Sequence, residues 1–89
     1  MNIQSAIMKG TNILKDKSIN SAKLDSEILL ASAIDQDRKY IILNNYQNIK
    51  EENLRYFQKL INKRSVREPI AYLTNKKYFW KYKFFVTKD

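Results

Sequence analysis

Apolar residues recur at helical spacing from the first turn of the chain. Over residues 3 to 16 the apolar positions are Ile3, Ala6, Ile7, Gly10, Ile13 and Leu14. Intervals of three and four residues predict an amphipathic helix over this range. Gly10 lies on its inner face, although glycine inside a helix costs about 1 kcal/mol relative to alanine. We therefore expect a neighbouring helix to approach closely at Gly10.

A second helix is predicted to begin after Ser21 and to end near residue 34. Ser21 can act as its N-cap, and Asp25 lies in the first turn, where the helix dipole favours a negative charge. Asp25 and Glu27 are two positions apart and point away from each other, which excludes a locally paired acid and base. The predicted apolar stripe consists of Leu24, Ile28, Ala31 and Ile34.

Three shorter signals predict the remaining helices. Asp37 is expected to cap a helix over residues 38 to 43, with a turn at the two asparagines that follow. Asn48 and Glu51 have the spacing of a capping box for a fourth helix. Its inward positions are Leu54, Phe57, Leu60, Ile61 and Arg64. Pro69 can occupy the first turn of a short helix through residue 73, and we expect Glu68 to cap that helix or to pair with Arg64.

From Lys77 the apolar period changes from helical to two. Tyr78, Trp80, Tyr82, Phe84 and Val86 would share one face of a strand, and three lysines the other. The pattern predicts a mostly α fold, in which a small bundle of four to five helices precedes a short C-terminal β-hairpin or strand. We expect residues 1–74 to form the helical domain and residues 75–89 a β linker toward further protein.

Composition limits the chemistry. The chain has 89 residues, enough for one small domain, and contains neither cysteine nor histidine. Thiolate chemistry, most zinc sites and the usual general base at neutral pH are therefore missing. No metal-ligand spacing, signal peptide or apolar run long enough for a membrane helix occurs, so we expect a cytoplasmic protein with no membrane partner.

The net charge is +8 and is concentrated after residue 62. Residues 63–89 contain eight basic and two acidic residues, a local charge of +6. Lysines interleaved with aromatic residues could stack on bases and follow phosphates, so a basic helical module that binds RNA or DNA is one interpretation. The other is an ordinary solvated surface, since lysine-rich composition also has that effect.

An ordered set of motifs begins at Arg64. It comprises Arg64, Glu68-Pro69, Ala71-Tyr72-Leu73-Thr74-Asn75, Phe79-Trp80 and Phe84-Phe85-Val86. Together with the helix around residues 22–30, this order resembles the N-terminal domain of the release-factor glutamine methyltransferases, the PrmC/HemK family. The chain departs from the family pattern at three positions. Arg67 and Asn75 stand where the family usually has glycine, and Tyr78 stands where a glutamate commonly precedes Phe-Trp.

The resemblance implies a function for the full-length protein. Members of this family join a helical N-terminal domain through a β-hairpin to a Rossmann-like domain, which binds S-adenosylmethionine and methylates the glutamine of the Gly-Gly-Gln motif in class-one release factors. Their Gly-rich loop and Asn-Pro-Pro-Tyr motif have no counterpart in residues 1–89. We therefore expect no catalytic or cofactor-binding residue here. Some family members are fused to a tRNA guanine-N7 methyltransferase, which would add tRNA as a partner.

By the same resemblance, this domain would help to orient the release factor and would pack against its own catalytic domain. Residues near the expected junction are the candidates for these contacts. They are Arg67, Tyr72, Lys76, Lys77, Phe79, Trp80, Lys81 and Lys83. The basic members could meet an acidic patch of a partner, and the aromatic members could instead serve as packing between domains.

Overall fold

The computed structural model describes residues 1–74, which form a helical bundle. Its helices are α1 (Ile3–Asp16), α2 (Ala22–Ile34), α3 (Arg38–Leu43) and α4 (Glu51–Ser65). A further helical segment covers residues 70–74. The predicted mostly helical bundle is confirmed for this part of the chain. The predicted β-hairpin or strand lies outside the described residues.

Helix α1 has the bounds that the sequence predicts, Ile3–Asp16. Asn2 supplies the cap, since its side-chain oxygen accepts a hydrogen bond from the Ser5 amide at 2.8 Å. Four of the inward positions that the period indicates are buried, with Ile3 and Leu14 at most 2% exposed, whereas Ile7 and Ile13 are half-buried. The amphipathic pattern therefore places α1 against the rest of the bundle.

Gly10 marks the closest approach of α1 to its neighbours. A Cβ atom at Gly10 would lie 2.6 Å from the Ser26 hydroxyl, and 2.9 Å from Ile61 Cδ1 and from Phe57 Cζ. Both α2 and α4 therefore come closer than a side chain would allow. The expected reason for a glycine inside this helix is confirmed.

The predicted apolar stripe of α2 is wrong in part. Leu24 is 44% exposed, whereas Asp25 and Ser26 are buried. The buried positions of this helix are Ala22, Asp25, Ser26, Leu29, Leu30, Ala31 and Ala33. They extend most of the way round the helix because α1, α3 and α4 all pack against α2. A search for one apolar stripe fails when polar residues with internal partners share the buried surface.

The helix caps agree with the sequence at α3 but not at α2 or α4. Asp37 caps α3 by accepting a hydrogen bond from the Tyr40 amide at 2.9 Å. Ser21 occupies the N-cap position of α2, but its hydroxyl donates to the Asp25 carboxylate at 2.8 Å instead of capping the backbone. Helix α4 begins after Lys50, which makes no side-chain cap. The predicted capping box at Asn48 is wrong, because Asn48 pairs with Asn2 in an isolated antiparallel bridge.

The segment after α4 turns back onto the core. The Leu73 amide donates to the main-chain carbonyl of Pro69 at 3.1 Å, as expected if Pro69 opens a helical turn. Leu73 is fully buried and belongs to the same core cluster as Leu14, Leu30 and Ile61. Residues 70–74 are therefore anchored to the helical domain.

Candidate functional site

The surface predicted from the sequence is described by the structure only at its beginning. Of the eight candidate residues, Arg67 and Tyr72 lie within residues 1–74. The other candidates, Lys76, Lys77, Phe79, Trp80, Lys81 and Lys83, lie outside the described residues. Tyr72 has 53% of its surface exposed. Val66, in the same segment, has 70% of its surface exposed. This segment therefore presents apolar surface near the expected junction.

Arg67 has a left-handed backbone conformation and a side chain bound to the end of α1. Its φ angle is 72°. Its guanidinium Nη2 donates to the main-chain carbonyl of Lys17 at 3.0 Å and to that of Ser18 at 3.4 Å. A positive φ is the conformation that favours glycine, which is the residue that the resemblance led us to expect at this position. In this chain the side chain bridges the turn after α4 to the turn after α1.

A buried ion pair lies beside this turn, and the sequence did not predict it. Arg64 Nε donates to Asp25 Oδ2 at 2.9 Å, and the two side chains are 19% and 6% exposed. Arg64 Nη1 also donates to the main-chain carbonyl of Glu68 at 2.8 Å. Of the two roles expected for Glu68, the ion pair with Arg64 is therefore not formed, since Arg64 contacts the main chain of Glu68 and the Asp25 carboxylate instead. No local spacing indicates this pair, since Asp25 and Arg64 are 39 positions apart.

Arg64 thus joins three parts of the molecule, namely α2, α4 and the loop that leads to residues 70–74. The Ser21 hydroxyl also donates to Asp25 Oδ2, at 2.8 Å. Each buried polar atom of the cluster has a partner, as a stable buried ion pair requires. We interpret the cluster as a brace for the outgoing segment and not as a reaction centre.

A groove lies between α1, α2 and α3, on a part of the surface that the sequence did not single out. It has a volume of about 480 Å³. Its apolar lining comes from Ile7 and Met8 on α1 and from Ile41 and Ile42 on α3. Lys15, Lys23 and Glu27 also line it. Met8 and Ile42 are 59% and 56% exposed, so the groove is open to solvent.

No group of three or more potential metal ligands occurs within residues 1–74. No helix in the described part of the chain is long and apolar enough to cross a membrane. The fold and its surfaces therefore define a small helical domain with exposed surface suited to contacts.

Comparison with known proteins gives the family. The model of the PrmC N-terminal domain matches residues 5–74. A release factor glutamine methyltransferase of Buchnera aphidicola is 35% identical over 89 residues, which is the whole of this chain and 31% of that protein. The one from Leptospira interrogans is 34% identical over 87 residues, or 98% of the chain and 30% of that protein. This chain therefore belongs to the PrmC N-terminal domain family.

Relatives with a second activity also match. A protein of Rickettsia felis named bifunctional methyltransferase is 31% identical over 86 residues, which is 97% of this chain and 16% of that protein. No solved structure matches. The chain thus spans about a third, or less, of the length of the relatives described.

Proposed function

We propose that this chain is the substrate-handling domain of a protein methyltransferase that modifies class-one translation release factors. The methylated group would be the glutamine amide of their Gly-Gly-Gln motif. The observation that carries the proposal is the match of the whole chain to the first of the release factor glutamine methyltransferases described above. The similarity to a bifunctional relative extends the proposal to a second methyltransferase in the same protein.

The cofactor S-adenosylmethionine would be held outside this chain. Nucleotide-like cofactors need glycines where the backbone approaches the ligand. The one glycine, Gly10, is buried inside α1 against Ser26, Phe57 and Ile61, and the pocket that it lines has a volume of only about 120 Å³. The described residues therefore do not fit this cofactor, and we assign them no step of methyl transfer.

The role of the domain would be to orient the release factor. Contacts far from a reacting atom can lower a barrier by several kcal/mol, because they fix the geometry of the reactants. Arg67 and Tyr72 begin the surface proposed for this role, together with the six further candidates at residues 76–83. The Arg64 brace supports the surface by holding the segment from which Tyr72 projects.

The test measures methyl transfer by the full-length protein with two substrates, an intact class-one release factor and a short peptide that contains Gly-Gly-Gln. Tyr72→Ala is expected to raise KM for the intact factor about tenfold, since exposed aromatic anchors often contribute that much to an interface. The peptide should be methylated at an unchanged rate, because it is too short to reach the helical domain. Equal losses with both substrates would contradict an orienting role.

A control is available on α2. Leu24 is 44% exposed and lies far along the chain from the expected junction. Leu24→Ala also removes exposed apolar surface and should leave the KM values of both substrates unchanged. A rise in the KM for the intact factor of equal size in this variant would show that Tyr72 has no specific role.

The basic nucleic-acid module remains the second interpretation of the charge. Lys81→Ala and Lys83→Ala should weaken RNA binding and flatten its dependence on salt if those lysines contact phosphates. The family match favours the methyltransferase domain over this module.

A further inference from the structure

The groove between α1, α2 and α3 is the strongest unexplained feature of the surface. Helix α3 turns Ile41 into the core, where it is 1% exposed, and leaves Ile42 and Leu43 56% and 70% exposed. The turn that follows adds Tyr46, at 81%. Isolated exposed apolar residues need no explanation, but several within five positions, beside an apolar groove, mark a contact surface.

The shape of the groove suits a protruding side chain. Its volume of about 480 Å³ lies within the range of about 300–1,000 Å³ that is typical of binding pockets. Met8 and Ile42 line it and keep more than half of their surface exposed. A partner side chain that enters the groove would therefore cover apolar surface on both α1 and α3.

The charges around the groove select the chemistry of the partner. Glu27 is already paired, since Arg38 donates to its carboxylate from Nε at 3.2 Å and from Nη2 at 2.9 Å. Within the described part of the chain, Lys15 and Lys23 form no ion pair, although both line the groove. The unpaired charge that lines the groove is therefore positive. It favours a partner that carries a carboxylate beside the apolar side chain.

We propose that the groove binds a segment of the protein substrate in which an apolar side chain stands next to an aspartate or glutamate. The apolar side chain enters between Met8 and Ile42, and the carboxylate approaches Lys15 and Lys23. This inference rests on the proposed function, which supplies a protein substrate. It adds a second contact surface on the helices, separate from Arg67 and Tyr72.

The test measures the affinity of the 89-residue chain for a purified class-one release factor by titration calorimetry. Met8→Ser and Ile42→Ser should each raise Kd about tenfold, because both remove apolar contact at the centre of the surface. Lys15→Glu combined with Lys23→Glu should also weaken binding and reduce its dependence on salt. Leu24→Ser is the matched control and should leave Kd unchanged, since Leu24 is 44% exposed but does not line the groove. Unchanged circular dichroism would show that each variant is folded.

The outcomes separate the two proposals. Unchanged affinity in the groove variants, with weaker binding in Arg67→Ala or Tyr72→Ala, would overturn the groove and leave the proposed function standing. No binding of the wild-type chain to the release factor would overturn the domain's role in binding and the groove with it. Titration of a single-stranded RNA gives the remaining outcome, since RNA binding lost in the Lys15 and Lys23 variant would assign the groove to nucleic acid and overturn the protein segment.

Discussion

At the scale of single residues, Arg67 combines an unfavourable backbone with favourable side-chain contacts. A residue other than glycine at a φ of 72° costs about 1 kcal/mol. The guanidinium offsets this cost through its hydrogen bonds to the carbonyls of Lys17 and Ser18. The sequence alone showed that Arg67 stands where the resemblance led us to expect glycine. The backbone angle shows why glycine would fit this position.

The strain at Arg67 can be measured by comparing two substitutions that both remove the guanidinium. Arg67→Gly should be more stable than Arg67→Ala by about 1 kcal/mol, because only glycine adopts the left-handed conformation without strain. Urea unfolding followed by circular dichroism measures the difference. The matched control is Asn62, exposed on α4, where the glycine variant should be less stable than the alanine variant by about 1 kcal/mol. The same order at both positions would contradict strain at Arg67.

Gly10 gives a second prediction at this scale. Gly10→Ala should lower the free energy of unfolding by about 1–2 kcal/mol, although alanine favours helices, because the new methyl group overlaps Ser26, Phe57 and Ile61. Combining it with Ser26→Ala removes the nearest atom, so the double variant should lose less than the sum of the two single losses. Strict additivity in thermal or urea unfolding would contradict this steric account.

At the scale of elements, the sequence predicts a helix accurately where one apolar face stabilises it. It predicts a helix less accurately where contacts on several sides stabilise it. Helix α1 has its amphipathic face on one side, so its period gave both ends correctly. Helix α2 is buried on several sides and includes Asp25, which its partner Arg64 on α4 stabilises. A contact across 39 positions leaves no mark on local spacing, which is why the brace could not be predicted.

The brace should matter more than the surface ion pair on the same helix. Asp25→Asn is expected to lower the free energy of unfolding by about 3 kcal/mol, since it leaves the largely buried Arg64 without its countercharge. Glu27→Gln breaks the pair with Arg38, whose side chain is 49% exposed, and should cost less than about 1 kcal/mol. Denaturant titration of both variants is the measurement. Equal losses would show that burial does not decide the strength of these pairs.

At the scale of the whole molecule, α1, α2 and α4 supply most of the core and α3 supplies little. Ile41 is the one buried residue of α3. The bundle could be predicted from the sequence, but the groove could not, because it joins residues of three helices that are up to about forty positions apart. Of the predicted surface at the junction, the described residues contain only Arg67 and Tyr72.

Stability should therefore be uneven across the bundle. Amide hydrogens of α3 are expected to exchange on the order of tenfold faster than those in the middle of α1, α2 and α4, because fewer buried contacts oppose local opening. Hydrogen exchange read by nuclear magnetic resonance measures this directly. Asp37→Ala removes the cap of α3 and should raise exchange there while leaving α4 unchanged. Equal protection of α3 and α4 in the wild-type chain would contradict the expected order.

The contact between the two turns also bears on how this sequence can change. Ser18 and Arg67 both have left-handed backbones, at φ angles of 61° and 72°, and the guanidinium of one holds the carbonyl of the other. A mutation at either turn therefore changes the effect of a mutation at the other, which is epistasis between positions 49 apart. A glycine at position 67 removes the backbone strain in the turn after α4. It also removes the hydrogen bond to the Ser18 carbonyl in the turn after α1. Arg67→Gly should thus be tolerated best when position 18 has been changed first.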